Sequence, residues 1–217
     1  MLLNFLMLIL CDLPESEKSW LNEQECIAEH LMRLLPQGNK LGLRGRCSKI
    51  VVHVARAPAR VKTLYCQGVC ERYIQGDPWE ITQETDPIRR KEWYLRHLLQ
   101  GVLLVAEEEG WDKRLFLDAA AQIRAGGYVN RWVWGKPLSN PARSHKVVAE
   151  CNHDWDVFTL TLRIMDKQGR VVIAKEVIRC APTVFSYTQK LGKLRWADDR
   201  TIQVLSWNQK IVAELTV

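Results

Sequence analysis

After Pro141 the chain alternates apolar and polar residues almost to its end, and this period of two limits the C-terminal third to strands. His145–Glu150, Val157–Met165, Arg170–Arg179, Lys193–Ala197, Thr201–Trp207 and Lys210–Val217 each carry the pattern. Turn-forming residues separate them: Asn152-His153-Asp154, Asp166-Lys167-Gln168-Gly169, Asp198-Asp199 and Asn208-Gln209. Short connections between alternating segments predict an antiparallel β-meander with one packed face and one wet face.

The middle of the chain has a different period. Asp86 before Pro87 is an N-cap followed by proline at the first helical position. Ile88, Tyr94, Leu95, Leu98, Leu99, Val102, Leu103 and Ala106 then hold a helical stripe as far as Gly110. Asp112 caps a second helix carrying Leu115, Phe116, Ala119, Ala120 and Ile123, which Gly126-Gly127 ends. Joined by Gly110-Trp111, the two predict an αα-hairpin.

Upstream the reading is α/β. Met1–Leu10 is apolar apart from Asn4 and suits a buried strand. It lacks the Lys or Arg and the small-residue cleavage site of an export signal, and bulky Leu10 before Cys11 does not fit a lipoprotein. Asn22 and Glu25 form a candidate capping box, stapled by Leu21 and Cys26. The helix they open buries Ile27, Leu31, Leu34 and Leu35 and stops at Pro36-Gln37-Gly38. Lys49–Ala55 is β-branched, and Val61–Tyr65 and Glu71–Ile74 predict two more strands turning near Gly68. The expected class is α+β: an N-terminal α/β segment over 1–85, then a helical hairpin plus antiparallel sheet over 86–217, or one continuous domain. Candidate boundaries fall near 78–86 and 135–144.

The 217 residues, 47% hydrophobic and 26% charged, exclude a disordered tail and a fibre. No stretch reaches the roughly 18–20 apolar residues of a membrane span. Seven cysteines without framework spacing predict free thiols and a cytoplasmic location. The net charge of +6 is unevenly spread, since residues 31–70 hold eight bases and no acid. Nine tryptophans against four phenylalanines fit either a Trp-built core or a recognition surface.

Chemistry-bearing motifs are sparse. Cys26, His30, Cys66 and Cys70 are the candidate zinc ligands, but Cys-x3-Cys is a loose spacing, and no cofactor is expected. Cys151, His153, Asp154 and Asp156 crowd one segment, which reads as a hairpin turn rather than a catalytic set converging from different directions. Gly38, Gly42 and Gly45 lack the ending of a phosphate loop, and no hydrolase, zincin or Walker motif occurs. Between Gln122 and Val148 five bases accompany Tyr128, Trp132 and Trp134 without an acid, which with 31–70 gives a nucleic-acid-binding alternative. Glu107-Glu108-Glu109 opposes the dipole at the end of its helix. Either Lys113 and Arg114 neutralise it, or it is an acidic patch for a basic partner.

From Glu92 onward the order Trp93-Tyr94-Leu95, Gly101-Val102-Leu103, Glu109-Gly110-Trp111-Asp112, Ser139-Asn140-Pro141, Asp166-Lys167-Gln168-Gly169 and Leu194-Arg195-Trp196-Ala197-Asp198-Asp199-Arg200-Thr201-Ile202 resembles the small α+β immunity proteins that bacteria encode beside polymorphic toxins. The resemblance implies a cytoplasmic, non-enzymatic protein that binds a cognate toxin and occludes it. Such surfaces are often acidic, and the +6 here departs from that. Expected contact residues are Glu107, Glu108, Glu109, Trp111, Trp132 and Trp134.

Overall fold

The computed structural model describes residues 3–14, 20–35, 46–58 and 62–217, without the side chains of residues 20 and 21. The chain is mixed α+β and divides into two compact units, Met1–Tyr128 and Val129–Val217.

The first unit is built on four strands: β1 (Phe5–Leu10), β2 (Lys49–Ala55), β3 (Leu64–Cys66) and β4 (Val69–Gln75). Their order is β1-β2-β4-β3, with β1, β2 and β4 parallel and β3 antiparallel at one edge. Leu6, Leu8 and Leu10, Ile50, Val52 and Val54, and Cys70 and Ile74 alternate into the core, as a sheet face covered by helices requires. The unit's helices are α1 (Trp20–Glu23), α2 (Glu25–Leu34), α3 (Trp79–Gln83), α4 (Pro87–Glu109) and α5 (Lys113–Ala125), of which α2 and α4 lie against the strands and α5 packs on both.

Both long helices follow their local chemistry. The Asp86 carboxylate accepts from the backbone N–H of Ile88 and Arg89, at 2.8 and 2.9 Å. At the other end Gly110 is left-handed (φ 69°), the Gly110 N–H reaches the Glu107 carbonyl, and the Trp111 N–H reaches that of Ala106. Asp112 caps α5 through the Arg114 N–H. Gly101 allows α4 to lie close on β2, because a Cβ there would stand 2.5 Å from both methyls of Val52. The helical hairpin therefore belongs with the N-terminal sheet, and the boundary falls at 128/129 instead of in 78–86 or 135–144.

One local reading is corrected. The first helix is already running at Trp20, so Asn22 lies inside it and no capping box forms at Asn22 and Glu25. Gln24, where α1 meets α2, instead turns its buried carboxamide to accept from the Leu8 N–H of β1 at 3.1 Å. The expected stop at 36–38, the staple's Leu21 side chain and the glycines of 38–45 lie outside the described residues.

Cys47 and Cys70 are joined in a disulfide, which corrects the reading of seven free thiols. Cysteines far apart in sequence carry no mark of their pairing until β4 is laid beside β2. Cys11, Cys26, Cys66, Cys151 and Cys180 remain thiols. Thiol titration of the denatured, unreduced protein is expected to find these five, rising to seven after reduction. Seven before reduction would show that the bridge does not form.

The second unit keeps the expected strands but not the single meander. β5 (Arg131–Val133) and β6 (Leu138–Ser139) both pair with β7 (Lys146–His153), which continues to β8 (Phe158–Met165) and β9 (Val171–Cys180). A separate antiparallel sheet holds β10 (Lys193–Trp196), β11 (Thr201–Leu205) and β12 (Ile211–Thr216). Pro182 interrupts the chain between them, and Thr183 caps a short helix, α6 (Val184–Thr188), by accepting from the Ser186 N–H. Helix α6 is unexpected from its β-branched and aromatic composition. Tyr187 decides it, buried and stacked on Phe158 at 4.1 Å. One core formed from Val147, Leu160, Leu162, Ile164, Ile202 and Val204 serves both sheets. Among the described residues no helix is long and apolar enough to cross a membrane.

Candidate functional site

The acidic triplet closing α4 is held by bases of its own unit. Glu107 pairs with Lys113 at 2.9 Å, Glu108 with Arg72 at 2.8 Å, and Glu109 with Arg46 at 2.8 Å. The Tyr65 hydroxyl donates to Glu108 at 3.1 Å, and the Arg46 guanidinium lies 3.7 Å above the Tyr65 ring. Burial, then bonding to Glu109 and Glu108, pushes the Tyr65 hydroxyl well above the ordinary tyrosine range. Burial would raise the Glu109 carboxyl, but bonds from the Arg46 backbone and guanidinium outweigh it and hold the group low. Lys113 is the partner expected from sequence, whereas Arg46 and Arg72 arrive from far upstream. Trp111, expected at an interface, is buried against Phe116 as the residue that completes the C-terminal cap of α4. Of these four candidates Glu107 is the most open, with a side chain 65% exposed.

The candidate zinc ligands do not assemble. Cys70 is committed to its disulfide, Cys26 donates its thiol to the Glu23 carbonyl, His30 is buried on α2 and Cys66 is exposed on β3. Among the described residues no group of three metal-ligating side chains converges.

A thiol–imidazole–carboxylate series lies on the other face of the first sheet. Cys11 Sγ is 4.0 Å from His53 Nδ1, and Glu71 is 3.7 Å from His53 Nε2. His53 also stacks on Tyr73, with ring centroids 4.3 Å apart. Burial, helped by Asp12, raises the Cys11 thiol, and burial lowers the His53 imidazole against the pull of Glu71. Both groups are thus held neutral, the opposite of the thiolate–imidazolium state that activates a nucleophilic cysteine. The two partners sit on opposite ring nitrogens, so the three cannot share one cation.

His97 is a second depressed imidazole. It is buried, tilted against Trp93, and donates Nδ1–H to the Trp93 carbonyl at 2.8 Å. Burial lowers its affinity for a proton. Below the ordinary value near 6.5 the unfolded chain takes up protons that folded His53 and His97 refuse, so stability is expected to fall as pH drops from about 7 to 5. The slope should be shallower in His97→Gln. Equal slopes in the two proteins, measured by urea unfolding at each pH, would dismiss His97 as a contributor.

In the second unit Trp132 and Trp134 are half-buried against the shared core, with Trp132 facing Phe158 and Tyr187. His153 is buried in the last position of β7 rather than in a turn, bonded through Nε2 to the Pro182 carbonyl at 2.9 Å. Cys151 lies in the core. The basic stretch 122–147 divides between the units: Arg124 pairs with Glu92, and the Tyr128 hydroxyl, pushed up to about 12 by burial and its bond to Glu92, is turned inward. Within 31–70, Arg33, Arg46 and Arg56 are paired with Glu29, Glu109 and Asp77.

The surface that sequence reasoning missed lies at the β11–β12 turn. Trp207 is 76% exposed and Phe185, on α6, is 74% exposed. Of the tryptophans whose side chains are described, Trp207 alone is exposed. It is held in place from both sides: its N–H donates to the Gln189 carbonyl at 3.2 Å, and the Ser206 N–H donates to the Lys210 carbonyl at 2.8 Å. Beside it runs a cleft of about 330 Å³ bordered by Ser186, Lys190, Lys210, Ile211 and Val212. Residues 129–217 carry fourteen Lys and Arg against eight Asp and Glu, a net of +6, whereas residues 1–128 balance at seventeen of each. The whole formal charge of the chain therefore resides in the unit that presents Trp207. No family model, curated protein or solved structure matches the chain.

Proposed function

We propose that this chain is a non-enzymatic binding protein that neutralises a cognate bacterial toxin by steric occlusion. The observation carrying the reading is the exposure of two large aromatics, Phe185 and Trp207, the latter on a backbone fixed by hydrogen bonds. Water-exposed aromatics of this size are unfavourable in isolation. On a pre-ordered surface they are the side chains that most often anchor a protein partner. The contact residues expected from sequence are supplemented accordingly. Glu107 remains open to a partner, Trp111 is buried within the first unit, and Trp132 and Trp134 pack against the core of the second.

The reading keeps the chain in the cytoplasm, and a Cys47–Cys70 bridge retained in cells would place it in an oxidising compartment instead. A tagged pull-down from the native bacterium, with and without nuclease, tests it. The expected result is one nuclease-resistant protein in equimolar amount whose toxicity, when expressed alone, is relieved by this chain. Recovery of nucleic acid alone, lost on nuclease treatment, would replace the reading with the nucleic-acid alternative.

A further inference from the structure

We infer that the cleft beside Trp207 docks an acidic protein segment, an apolar side chain of which packs against Trp207, Ile211 and Val212 while flanking carboxylates meet Lys190 and Lys210. The inference rests on the binding-protein reading and names the chemistry of its partner.

Charge is the first argument. Lys190 and Lys210 line the cleft and no carboxylate does. Elsewhere in the unit arginines are neutralised locally, Arg163 by Glu150, Arg170 by Asp166 and Arg179 by Glu176. Among the described residues neither lysine of the cleft takes part in an ion pair. Two uncompensated cations beside an apolar surface favour an anionic partner and repel a basic one.

The kind of surface decides between a protein and a nucleic acid. Ile211 and Val212, 54% and 37% exposed, line the cleft together with Trp207. Aliphatic side chains offer no stacking face to a base, and two lysines do not make the basic track that follows a phosphate backbone. A mixed aromatic–aliphatic centre with charges at its rim has the anatomy of a protein interface. Two polar groups of the cleft are already engaged: Ser206 Oγ donates to Asn208, and the Gln189 carbonyl accepts from Trp207. They stiffen the site rather than offer bonds to a small polar ligand. Stiffness helps binding, because the Trp207 backbone has little freedom left to lose.

The probe is a capped synthetic peptide with one leucine flanked by glutamates, titrated into the ¹⁵N-labelled full chain. A lysine-flanked counterpart and an oligothymidylate run in parallel. The Trp207 indole N–H is assigned with Trp207→Phe. The expected result is a saturable shift of that resonance and of the Lys190 and Lys210 amides within about 5 mM peptide. Affinity should drop at least about tenfold for the lysine peptide, for Trp207→Ala and for the Lys190→Glu/Lys210→Glu double variant. Trp207 and Lys210 are exposed, Lys190 is half-buried, and none of the three belongs to the core. No saturable shift, or equal response to the lysine peptide, overturns the inference. Tighter binding of the oligothymidylate at the same resonances does so in favour of a nucleic acid. A pull-down partner that ignores both variants overturns this site and leaves the binding reading standing. Absence of any protein partner fails that reading first.

Discussion

Replacing Arg90 with alanine is expected to destabilise the first unit by about 4 kcal/mol, because it would strand a buried carboxylate. Arg90, in the first turn of α4, ion-pairs with Glu23 at the end of α1. Its Nη1 also donates to the carbonyls of Ile81, at 2.8 Å, and Glu84, at 2.6 Å. Glu23 is 7% exposed and accepts a further bond from the Tyr94 hydroxyl at 2.9 Å. One guanidinium therefore joins α1, α3 and α4 with its planar array of donors. Without it, the Glu23 charge keeps only Tyr94 among these bonds, and two carbonyls lose a donor. Urea unfolding is the measurement. Glu23→Gln introduced into Arg90→Ala should recover part of the loss by removing the stranded charge. A loss below about 1 kcal/mol for Arg90→Ala would mean that water reaches Glu23 and the pair is an ordinary surface bridge.

Gly192→Ala is expected to cost about 3 kcal/mol and to disturb the Trp207 surface at the same time. A Cβ at Gly192 would lie 2.3 Å from the Ser206 carbonyl oxygen and 2.6 Å from the Trp207 nitrogen. These are backbone atoms, so no side-chain rotation relieves the clash, and either the β10 entry or the β11–β12 turn must move. Gly192 N–H also donates to the Leu205 carbonyl at 2.9 Å, which ties the same two segments together. The variant should therefore show lower stability together with a displaced Trp207 indole resonance. Unchanged stability with an unmoved resonance would sink the claim that close backbone approach at Gly192 sets the position of Trp207.

How much was legible depended on how far apart the cooperating residues are. Helix α4 was readable end to end because Asp86, Pro87 and Gly110 act within one turn of its ends. Strands β2, β7 and β8 were readable because alternation is a property of neighbouring residues. Helix α6 was not, since its local composition opposes a helix and Tyr187 is drawn in by Phe158 from another strand. The capping box at Asn22 failed for a related reason. A motif competes with whatever else reaches those groups, and Gln24 had an unsatisfied N–H of β1 to serve.

The candidate site followed the same rule. That Glu107, Glu108 and Glu109 need counter-charges was evident from the sequence, and Lys113 was near enough to name. Arg72 and Arg46 became partners only when β3, β4 and the chain before β2 were brought beside the end of α4. By itself the sequence determined the strand and helix segments and the concentration of positive charge in the C-terminal unit, all sums over local chemistry. Tertiary structure alone decided which cysteines join, how the C-terminal strands divide into two sheets, and which tryptophan stays in water. Burial is a property of the neighbours that arrive, and none arrived over Trp207.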